Sequence, residues 1–483
     1  MSFLGIDLGT SGIRALLLGL DGDVLAVAEG SYGVSRPHAG WSEQDPQDWI
    51  DALHKVIAEL RDEHPAFAEI EGIGVAGHMH GATLLGADDQ VLRPCILWND
   101  TRSHLQARAM DAEPAFREIS GNIVFPGFTA PKLAWLRENE PGVFEKVAKV
   151  LLPAAYLNLY LTGEHVGDLS DASGTSWLNI STRDWSEQLL KLGHMRLDQM
   201  PRVVEGSAPA GVLRRSLADQ WGLSSVVTVA GGAGDNAAAA CGLGVMEEGR
   251  GFVSLGTSGV LLMARDGMQA APETALHTFC HAVPERWYQM SVMLSAADSL
   301  TWLSSIVGQS PGELTASLGE TLRIPGAVKF APYLSGERTP YNDAQVRAGF
   351  SGISTSTTAQ DLTHAVLSGV CFGLRDGLEA MRGTGASCSA LYVTGGGAAS
   401  HYWLQMLATV LDTPLLVPEG REFGASLGAA RLGMAAATGA PLEQIMLPAT
   451  TAEVVRPVID QVTAYDAAYA KFRKLYPAFQ SLS

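Results

Sequence analysis

The chain is poor in cysteine, the residue that cross-links small secreted folds. Its 483 residues include only Cys95, Cys241, Cys280, Cys371 and Cys388, an odd number without a C-x-x-C pair. Neither a disulfide framework nor a zinc site follows from this distribution. The fold must therefore be stabilised mainly by its hydrophobic cores.

The chain also lacks positive charge and long apolar runs. Lysine and arginine number 33 against 51 aspartates and glutamates, which gives a formal net charge of −18. This balance argues against a nucleic-acid partner or an anionic membrane surface, although a nucleotide needs only local amides and a metal. No basic leader or run of membrane-spanning length is present, so a cytoplasmic location is expected. A homodimer is left open.

Apolar residues, by contrast, are plentiful. They make up 47% of the chain, while charged residues make up 17%. This composition is typical of a globular protein, and the length predicts two domains with substantial cores.

One stretch near the N-terminus organises the rest of the chain. Residues 4–8 predict a buried strand, residues 9–12 a tight turn, and residues 13–18 a second strand. A further strand at 24–28 makes an antiparallel meander.

The turn carries groups suited to phosphate. Gly9 lets a ligand approach the backbone, while Thr10 and Ser11 offer hydroxyls and amides to anionic oxygens. Asp7, at the strand end, is a candidate ligand for a divalent cation. An ordinary glycine-rich hairpin turn is the alternative, and it is favoured for one such turn alone because short motifs give many false matches.

The same five residues occur twice. Leu-Gly-Thr-Ser-Gly stands at 8–12 and again at 255–259, about half a chain apart, with apolar runs on both sides. The repeat predicts two related domains that face one site and clamp a polyphosphate between them. We place the domains at residues 1–245 and 246–483. Only the first copy is preceded by a carboxylate, because Ser254 occupies the position of Asp7.

The remaining pattern alternates helices and strands, as in an α/β fold. Helices are predicted at 46–64, 102–113, 130–149, 293–307, 360–382, 400–411 and 460–476, and strands at 70–76, 95–100, 226–230 and 391–394.

Asp235 follows a glycine-rich turn between a strand and a helix. In that position it is a candidate general base facing a substrate hydroxyl, with Asn236 as a hydroxyl partner. A helix-capping aspartate is an equally good interpretation.

Two further stretches end strands with chemically useful groups. His78 and His80 alternate faces, so we expect one in a pocket and the other in packing, without a shared metal. Trp98 would suit a sugar face, with a core tryptophan as the alternative. Glycines 395–397 precede a helix and suit a nucleotide, but they lack the G-x-G-x-x-G spacing of nicotinamide enzymes.

Together these residues resemble the FGGY family of carbohydrate kinases, in the superfamily of actin, hexokinase and the heat-shock-chaperone ATPases. Residues 127–139 fit the first family signature throughout. Residues 348–367 fit the second up to its last position, where Ser368 replaces an acidic or amide residue. The resemblance covers nearly the whole chain. It implies an α/β fold with two ribonuclease H-like domains of the actin/hexokinase type facing a central cleft.

The resemblance also implies a role for each candidate residue in phosphoryl transfer from ATP. Asp235 is implied as the base, and Asp7 as a catalytic residue that holds Mg²⁺ and positions the phosphates. The implied sugar-site residues are Met79, His80, Trp98, Asp235 and Asn236, and the implied ATP-site residues are Thr10, Ser11, Gly256, Thr257, Gly259, Gly396 and Ser400.

Within the family, the chain resembles the branch that phosphorylates D-xylulose to D-xylulose 5-phosphate. The stretches that carry this likeness are 41–46, 79–83, 97–100 and 333–340. Glycerol kinases carry Arg-Glu where this chain has Met79-His80. Two positions depart from the branch, because His78 replaces a glutamine and Ala399 an arginine. A kinase for another ketose or polyol, and a non-kinase ATPase of the superfamily, are the alternatives.

Overall fold

The computed structural model describes residues 1–420 and 423–482. In the first half the strands are β1 Ser2–Leu8, β2 Gly12–Gly19, β3 Val24–Ser31, β4 Glu43–Gln44, β5 Ile70–Gly77, β6 Thr83–Leu85, β7 Cys95–Ile96, β8 Lys149–Leu151, β9 Val166–Asp168, β10 Leu178–Asn179, β11 Asp184–Trp185, β12 Arg202–Val204, β13 Pro209–Val212, β14 Thr228–Ala230 and β15 Ala233–Gly234. In the second half they are β16 Gly251–Leu255, β17 Gly259–Arg265, β18 His277–Cys280, β19 Trp287–Met293, β20 Lys329–Ala331, β21 Gly349–Ser351, β22 Leu391–Thr394, β23 Leu415–Pro418 and β24 Thr451–Val455.

Two seven-stranded sheets share one topology. The first has the order β13-β14-β5-β1-β2-β3, with β15 also on β5, and the second has the order β18-β19-β17-β16-β22-β23-β24. Each contains an antiparallel meander whose first strand pairs in parallel with a strand from later in the chain. A second parallel strand and then an antiparallel one follow in both sheets. The sheets therefore repeat each other, as the duplicated turn predicted.

The two copies of the turn differ in register. In the first, Leu8 pairs with Ile13, so four residues lie between the paired residues that close the turn. In the second, Leu255 pairs with Gly259 and leaves only three. A one-residue change in register reverses which face a side chain points to. The same five residues thus present different groups to the cleft.

The helices cover the sheets and fill the space between them. They are α1 Pro46–Glu63, α2 His104–Asp111, α3 Pro114–Ser120, α4 Thr129–Asn139, α5 Pro141–Phe144, α6 Pro153–Thr162, α7 Leu169–Ala172, α8 Glu187–Leu192, α9 Arg215–Trp221, α10 Asp235–Leu243, α11 Ala297–Val307, α12 Pro311–Ala316, α13 Ala359–Gly383, α14 His401–Leu411, α15 Gly424–Thr438, α16 Leu442–Ile445, α17 Ile459–Phe472 and α18 Leu475–Gln480. Short 3₁₀ turns occur at Pro65–Glu69, Ser173–Thr175, Leu197–Gln199, Pro272–Thr274 and Gly396–Ala399.

The predicted helix at 130–149 is wrong in its second half. Helix α4 ends at Asn139, a new short helix begins at Pro141, and β8 begins at Lys149. The residue before a proline is displaced from helical geometry, and Glu140 accordingly has φ −131° and ψ 56°. Helices α1, α13 and α14 lie within a few residues of their predicted bounds.

Helix α15 lies between the first sheet and α10 at backbone contact distance. A Cβ atom at Gly74 of β5 would stand 1.9 Å from the carbonyl oxygen of Ala429, and one at Gly428 would stand 1.8 Å from that of Ala238. Glycine is required at both positions because the neighbouring backbone fills the space. Although α15 comes from the second half of the sequence, it packs on the first sheet. The division at residue 245 stays a prediction.

Adding one methyl group at this contact should destabilise the first domain. We expect Gly74→Ala to lower the free energy of unfolding by about 3 kcal/mol or more, because the obstacle is backbone that cannot repack. Gly142→Ala is the matched control, since a Cβ there meets nothing within 4 Å. Urea denaturation followed by circular dichroism measures both variants. Equal stability of the two would contradict the close packing of α15.

Candidate active site

A cavity of about 240 Å³ between the two halves brings the predicted sugar residues together. Residues from both halves line it, namely Met79, His80, Trp98, Phe125, Gly127, Phe128, Asp235, Asn236, Ser258, Val260, His277, Met290, Val292 and Arg338. Pockets for drug-sized ligands measure roughly 300–1,000 Å³, so this one suits a smaller molecule such as a monosaccharide.

Asp235 is the first residue of α10, at the wall of this cavity. Gly234 is the helix cap, so the capping interpretation of Asp235 is wrong. The Asp235 carboxylate accepts hydrogen bonds from the backbone amide of Asn236 at 2.7 Å and from its side-chain amide at 2.9 Å. Burial raises the pKa of Asp235 to about 6, against the opposing effect of these hydrogen bonds. A carboxylate with this pKa can accept a proton near neutral pH.

The two histidines of the Gly-His-Met-His turn have separate environments, as predicted. His80 lines the cavity, and its Nδ1 lies 2.8 Å from the carbonyl oxygen of Gly174. A carbonyl only accepts, so Nδ1 carries the proton and Nε2 is left as an acceptor. Burial, more than the nearby Lys132, lowers the pKa of His80 to about 3, so the ring is neutral. His78 instead packs edge-on against Trp49, with 5.6 Å between ring centroids.

The Trp98 side chain lines the cavity and is not part of the hydrophobic core. Its side chain is 42% exposed, which rules out the core interpretation. The indole N–H donates to Oγ1 of Thr10 at 3.0 Å. The first hairpin turn is therefore joined to the cavity by a direct hydrogen bond.

The first hairpin turn is held by side chains. Tyr32 donates through its hydroxyl to the carbonyl of Gly9 at 2.6 Å, and Gln44 donates to the carbonyl of Thr10 at 2.7 Å. Asp7 and Ser11 line a groove of about 510 Å³ beside the turn. Burial and then the negative charge of Asp235 raise the pKa of Asp7 to about 7, against the effect of Arg14. The Asp235 carboxylate therefore acts electrostatically on Asp7.

The second hairpin turn is held by a helix instead. The amides of Ala296 and Ala297, where α11 begins, donate to the carbonyls of Thr257 and Gly256 at 2.9 Å each. Ser258, the turn residue between Thr257 and Gly259, lines the cavity described above. The second copy is thus part of the same site.

The glycine loop before α14 lies against this second turn. Gly395 has φ +87°, and a Cβ on it would stand 2.9 Å from the amide nitrogen of Gly256. Gly395 is therefore next to the turn, while the contact of Gly396 with a nucleotide stays a prediction. The hydroxyl of Ser400 caps α14 by accepting from the amide of Trp403 at 3.3 Å. Contact of Ser400 with ATP stays a prediction.

Arg338 and His277 are two of the cavity residues that the sequence did not predict. Arg338 is half-buried, and its guanidinium lies 4.5 Å from the centroid of the Phe125 ring. Burial lowers its pKa to about 10, which still leaves it charged near neutral pH. Arg338 stands in the stretch 333–340 already noted for its family likeness, which could have identified it. His277 comes from β18, a strand without any motif.

Comparison with known proteins agrees with this geometry. The family model described as "FGGY family of carbohydrate kinases, N-terminal domain" matches residues 2–242, and the corresponding C-terminal domain model matches residues 251–437. A xylulose kinase from Escherichia coli K12 is 43% identical over 477 residues, which are 98% of either chain. One from Klebsiella pneumoniae is 42% identical over 483 residues, covering 99% of both.

Solved structures show the same fold. The crystal structure of a xyloylose kinase from Brucella ovis superimposes with a TM-score of 0.99 at 54% identity, with both chains fully covered. That of a xylulose kinase from Rhodospirillum rubrum has a TM-score of 0.91 at 27% identity, with 100% of this chain and 99% of that one covered. The predicted pair of ribonuclease H-like domains is confirmed. The chain belongs to the FGGY family of carbohydrate kinases.

Proposed function

We propose that the protein transfers the γ-phosphoryl group of ATP to D-xylulose and releases D-xylulose 5-phosphate and ADP. The observation that carries this proposal is the cavity, where Asp235 and Asn236 meet Met79, His80 and Trp98 beside the first hairpin turn. The xylulose kinases from Escherichia coli and Klebsiella pneumoniae are similar to this chain over nearly their full length.

In this proposal the chemistry is in-line displacement with Asp235 as the base. The sugar C5 hydroxyl gives its proton to the Asp235 carboxylate as its oxygen bonds to the γ-phosphorus. The bond from that phosphorus to the bridging oxygen breaks, and ADP leaves. The protein contributes mainly positioning and charge neutralisation. Closure of the cleft would exclude water, which competes with the sugar as acceptor.

We further propose that Mg²⁺ enters with ATP and is held at Asp7. No group of three or more His, Cys, Asp or Glu side chains able to hold a metal occurs among residues 1–420 and 423–482. The protein therefore offers few carboxylates, and phosphates and water must complete the shell, as is usual for Mg²⁺. Burial and then the negative charge of Asp235 raise the pKa of Asp7, and a cation beside its carboxylate would oppose both effects. When bound, Mg²⁺ neutralises the charge on the transferring phosphates.

The nucleotide is proposed to lie between the two hairpin turns. Thr10 and Ser11 approach the phosphates from the first half, and Gly256, Thr257 and Gly259 from the second. Gly396 and Ser400 approach the adenosine side. None of the helices described is long and apolar enough to cross a bilayer.

A substrate panel tests the proposal directly. We expect D-xylulose to give the highest kcat/KM among D-xylulose, L-ribulose, gluconate and glycerol, because Met79 and His80 replace the Arg-Glu pair of glycerol kinases. ADP release measured with a coupled assay reports each value. A clear preference for another substrate would show that the protein is a kinase for that ketose or polyol instead. ADP release independent of any sugar would favour the non-kinase ATPase.

The proposed base also predicts a pH profile. Because Asp235 must be ionised and its pKa lies at about 6, kcat/KM for the sugar should be flat above that pH when saturating Mg²⁺ and ATP keep Asp7, whose pKa lies at about 7, ionised. Below it, kcat/KM should fall about tenfold per pH unit as the carboxylate is protonated. Steady-state rates at saturating ATP measure the profile, with circular dichroism to check folding at each pH. An unchanged rate at pH 5 would contradict Asp235 as the base.

A further inference from the structure

The start of α4 holds the sugar-site turn that contains His80. The ammonium of Lys132 donates to the carbonyl oxygen of His80 at 2.7 Å, and the hydroxyl of Thr129 donates to the same oxygen at 3.2 Å. The ring of Phe128 stacks on the His80 ring, with centroids 4.5 Å apart. Three residues at the start of α4 therefore fix the backbone and the ring of His80.

The same segment also contacts the opposite wall of the cavity. A Cβ atom on Gly127 would stand 2.2 Å from the carbonyl oxygen of Trp98, so only glycine allows this approach. The segment 127–132 thus bridges Trp98 and His80, which line the cavity from different parts of the chain.

His80 needs such support because its backbone is strained. Its φ is 70°, in the left-handed region that residues other than glycine rarely occupy. Strained conformations persist only where neighbouring groups enforce them, and they concentrate at functional sites.

Supplying this hydrogen bond from a buried lysine costs stability. Its side chain is 0% exposed, and burial lowers the pKa of its ammonium to about 7. No ion pair of Lys132 with a carboxylate within 4 Å occurs among the described residues. A buried cation without a close counter-ion lowers stability. Its presence at this position, bonded to the turn that lines the cavity, points to a role in the site.

We propose that Lys132 is a positioning residue for the sugar substrate, acting through the backbone carbonyl of His80. By fixing that carbonyl it keeps the Met79-His80 turn, and the acceptor Nε2 of His80, facing the cavity. Lys132 itself touches no substrate. The inference rests on the proposed function only in that the cavity takes the sugar.

Two substitutions of Lys132 separate hydrogen bonding from size. Lys132→Met keeps the length without a donor and should raise the sugar KM roughly ten- to a hundredfold, the scale for hydrogen bonds to charged groups. Lys132→Gln keeps a donor and should give a smaller rise. The KM for ATP should stay within about twofold of the wild-type value in both. Calorimetric titration of the assay sugar without ATP should show the same loss as the KM.

Two further variants keep the test decisive. Thr129→Val removes the second hydrogen bond with little change of shape, should raise the sugar KM a fewfold, and decides the matter if Lys132→Met does not fold. Leu136→Ala is the structural control, because this buried α4 residue does not line the cavity. It should lower thermal stability and leave the sugar KM unchanged.

The assay uses whichever sugar gives the highest kcat/KM in the panel, so a wrong sugar assignment does not affect it. An unchanged sugar KM in folded Lys132→Met would overturn the positioning role. If Lys132→Met does not fold, an unchanged sugar KM in both Thr129→Val and Lys132→Gln would overturn it. Equal rises in the KM for sugar and for ATP, shared by Leu136→Ala, would also overturn it.

Discussion

Replacing Asp235 by asparagine should reduce kcat by about 10²–10⁴-fold, the contribution typical of a positioned general base. A sugar hydroxyl is a weak nucleophile near neutral pH and must lose its proton as the phosphoryl group arrives. Asparagine keeps the shape and can still hydrogen-bond the sugar, but it cannot accept that proton. Sugar binding measured by calorimetry should therefore change only modestly, while single-turnover rates collapse.

Two other carboxylates serve as comparisons for this variant. Asp48 also stands in the first turn of a helix, α1, but it is exposed, so Asp48→Asn should leave kcat unchanged. Asp7→Asn should instead disturb the dependence on Mg²⁺ and ATP. If Asp235→Asn kept most of its kcat while binding sugar normally, the base would lie elsewhere in the cavity.

Bulk at either hairpin turn should remove ATP use without unfolding the protein. A Cβ at Gly9 would lie 3.1 Å from the carbonyl oxygen of Gly12, and one at Gly256 would lie 3.3 Å from that of Ser258. Both contacts are tight but tolerable, so Gly9→Val and Gly256→Val should fold. The added side chains would occupy the space proposed for phosphate. We expect roughly a hundredfold loss in kcat/KM for ATP, the scale of a misplacement of ~1 Å.

A glycine-to-valine change outside the hairpin turns separates the loss of kcat/KM for ATP from a general effect of added bulk. At Gly267 a Cβ meets nothing within 4 Å, so Gly267→Val should keep wild-type kinetics. Thermal melts of all three variants check folding. Unchanged ATP kinetics in Gly256→Val would make the second copy a structural turn and end the argument from duplication.

The fold could be inferred from the sequence where the pattern is local and repeated. The duplicated turn predicted two related sheets, and helices such as α1 and α13 follow from apolar spacing. The shift in register between the copies could not be inferred, because identical residues carry both turns. It depends on partners distant in sequence, namely Tyr32 and Gln44 in one case and the start of α11 in the other.

The site was predictable where residues stand at the ends of strands next to glycine or polar groups. Met79, His80, Trp98, Asp235 and Asn236 meet in one cavity. Other cavity residues, such as Phe125 and His277, carry no local signal, because only the packing of the two halves places them there. Their roles cannot be read from spacing.

The packing of α15 on the first sheet has a consequence for how the protein is made. The sheet strand β5 ends at Gly77, whereas the helix that covers it begins at Gly424, about 350 residues later. At ~5–20 residues per second, a ribosome needs roughly 20–70 s to cover that distance. Throughout that time the glycine-lined face of the nascent sheet is bare. The first half of the chain therefore cannot complete its folding before the second half has been synthesised, and chaperones have that interval in which to bind it.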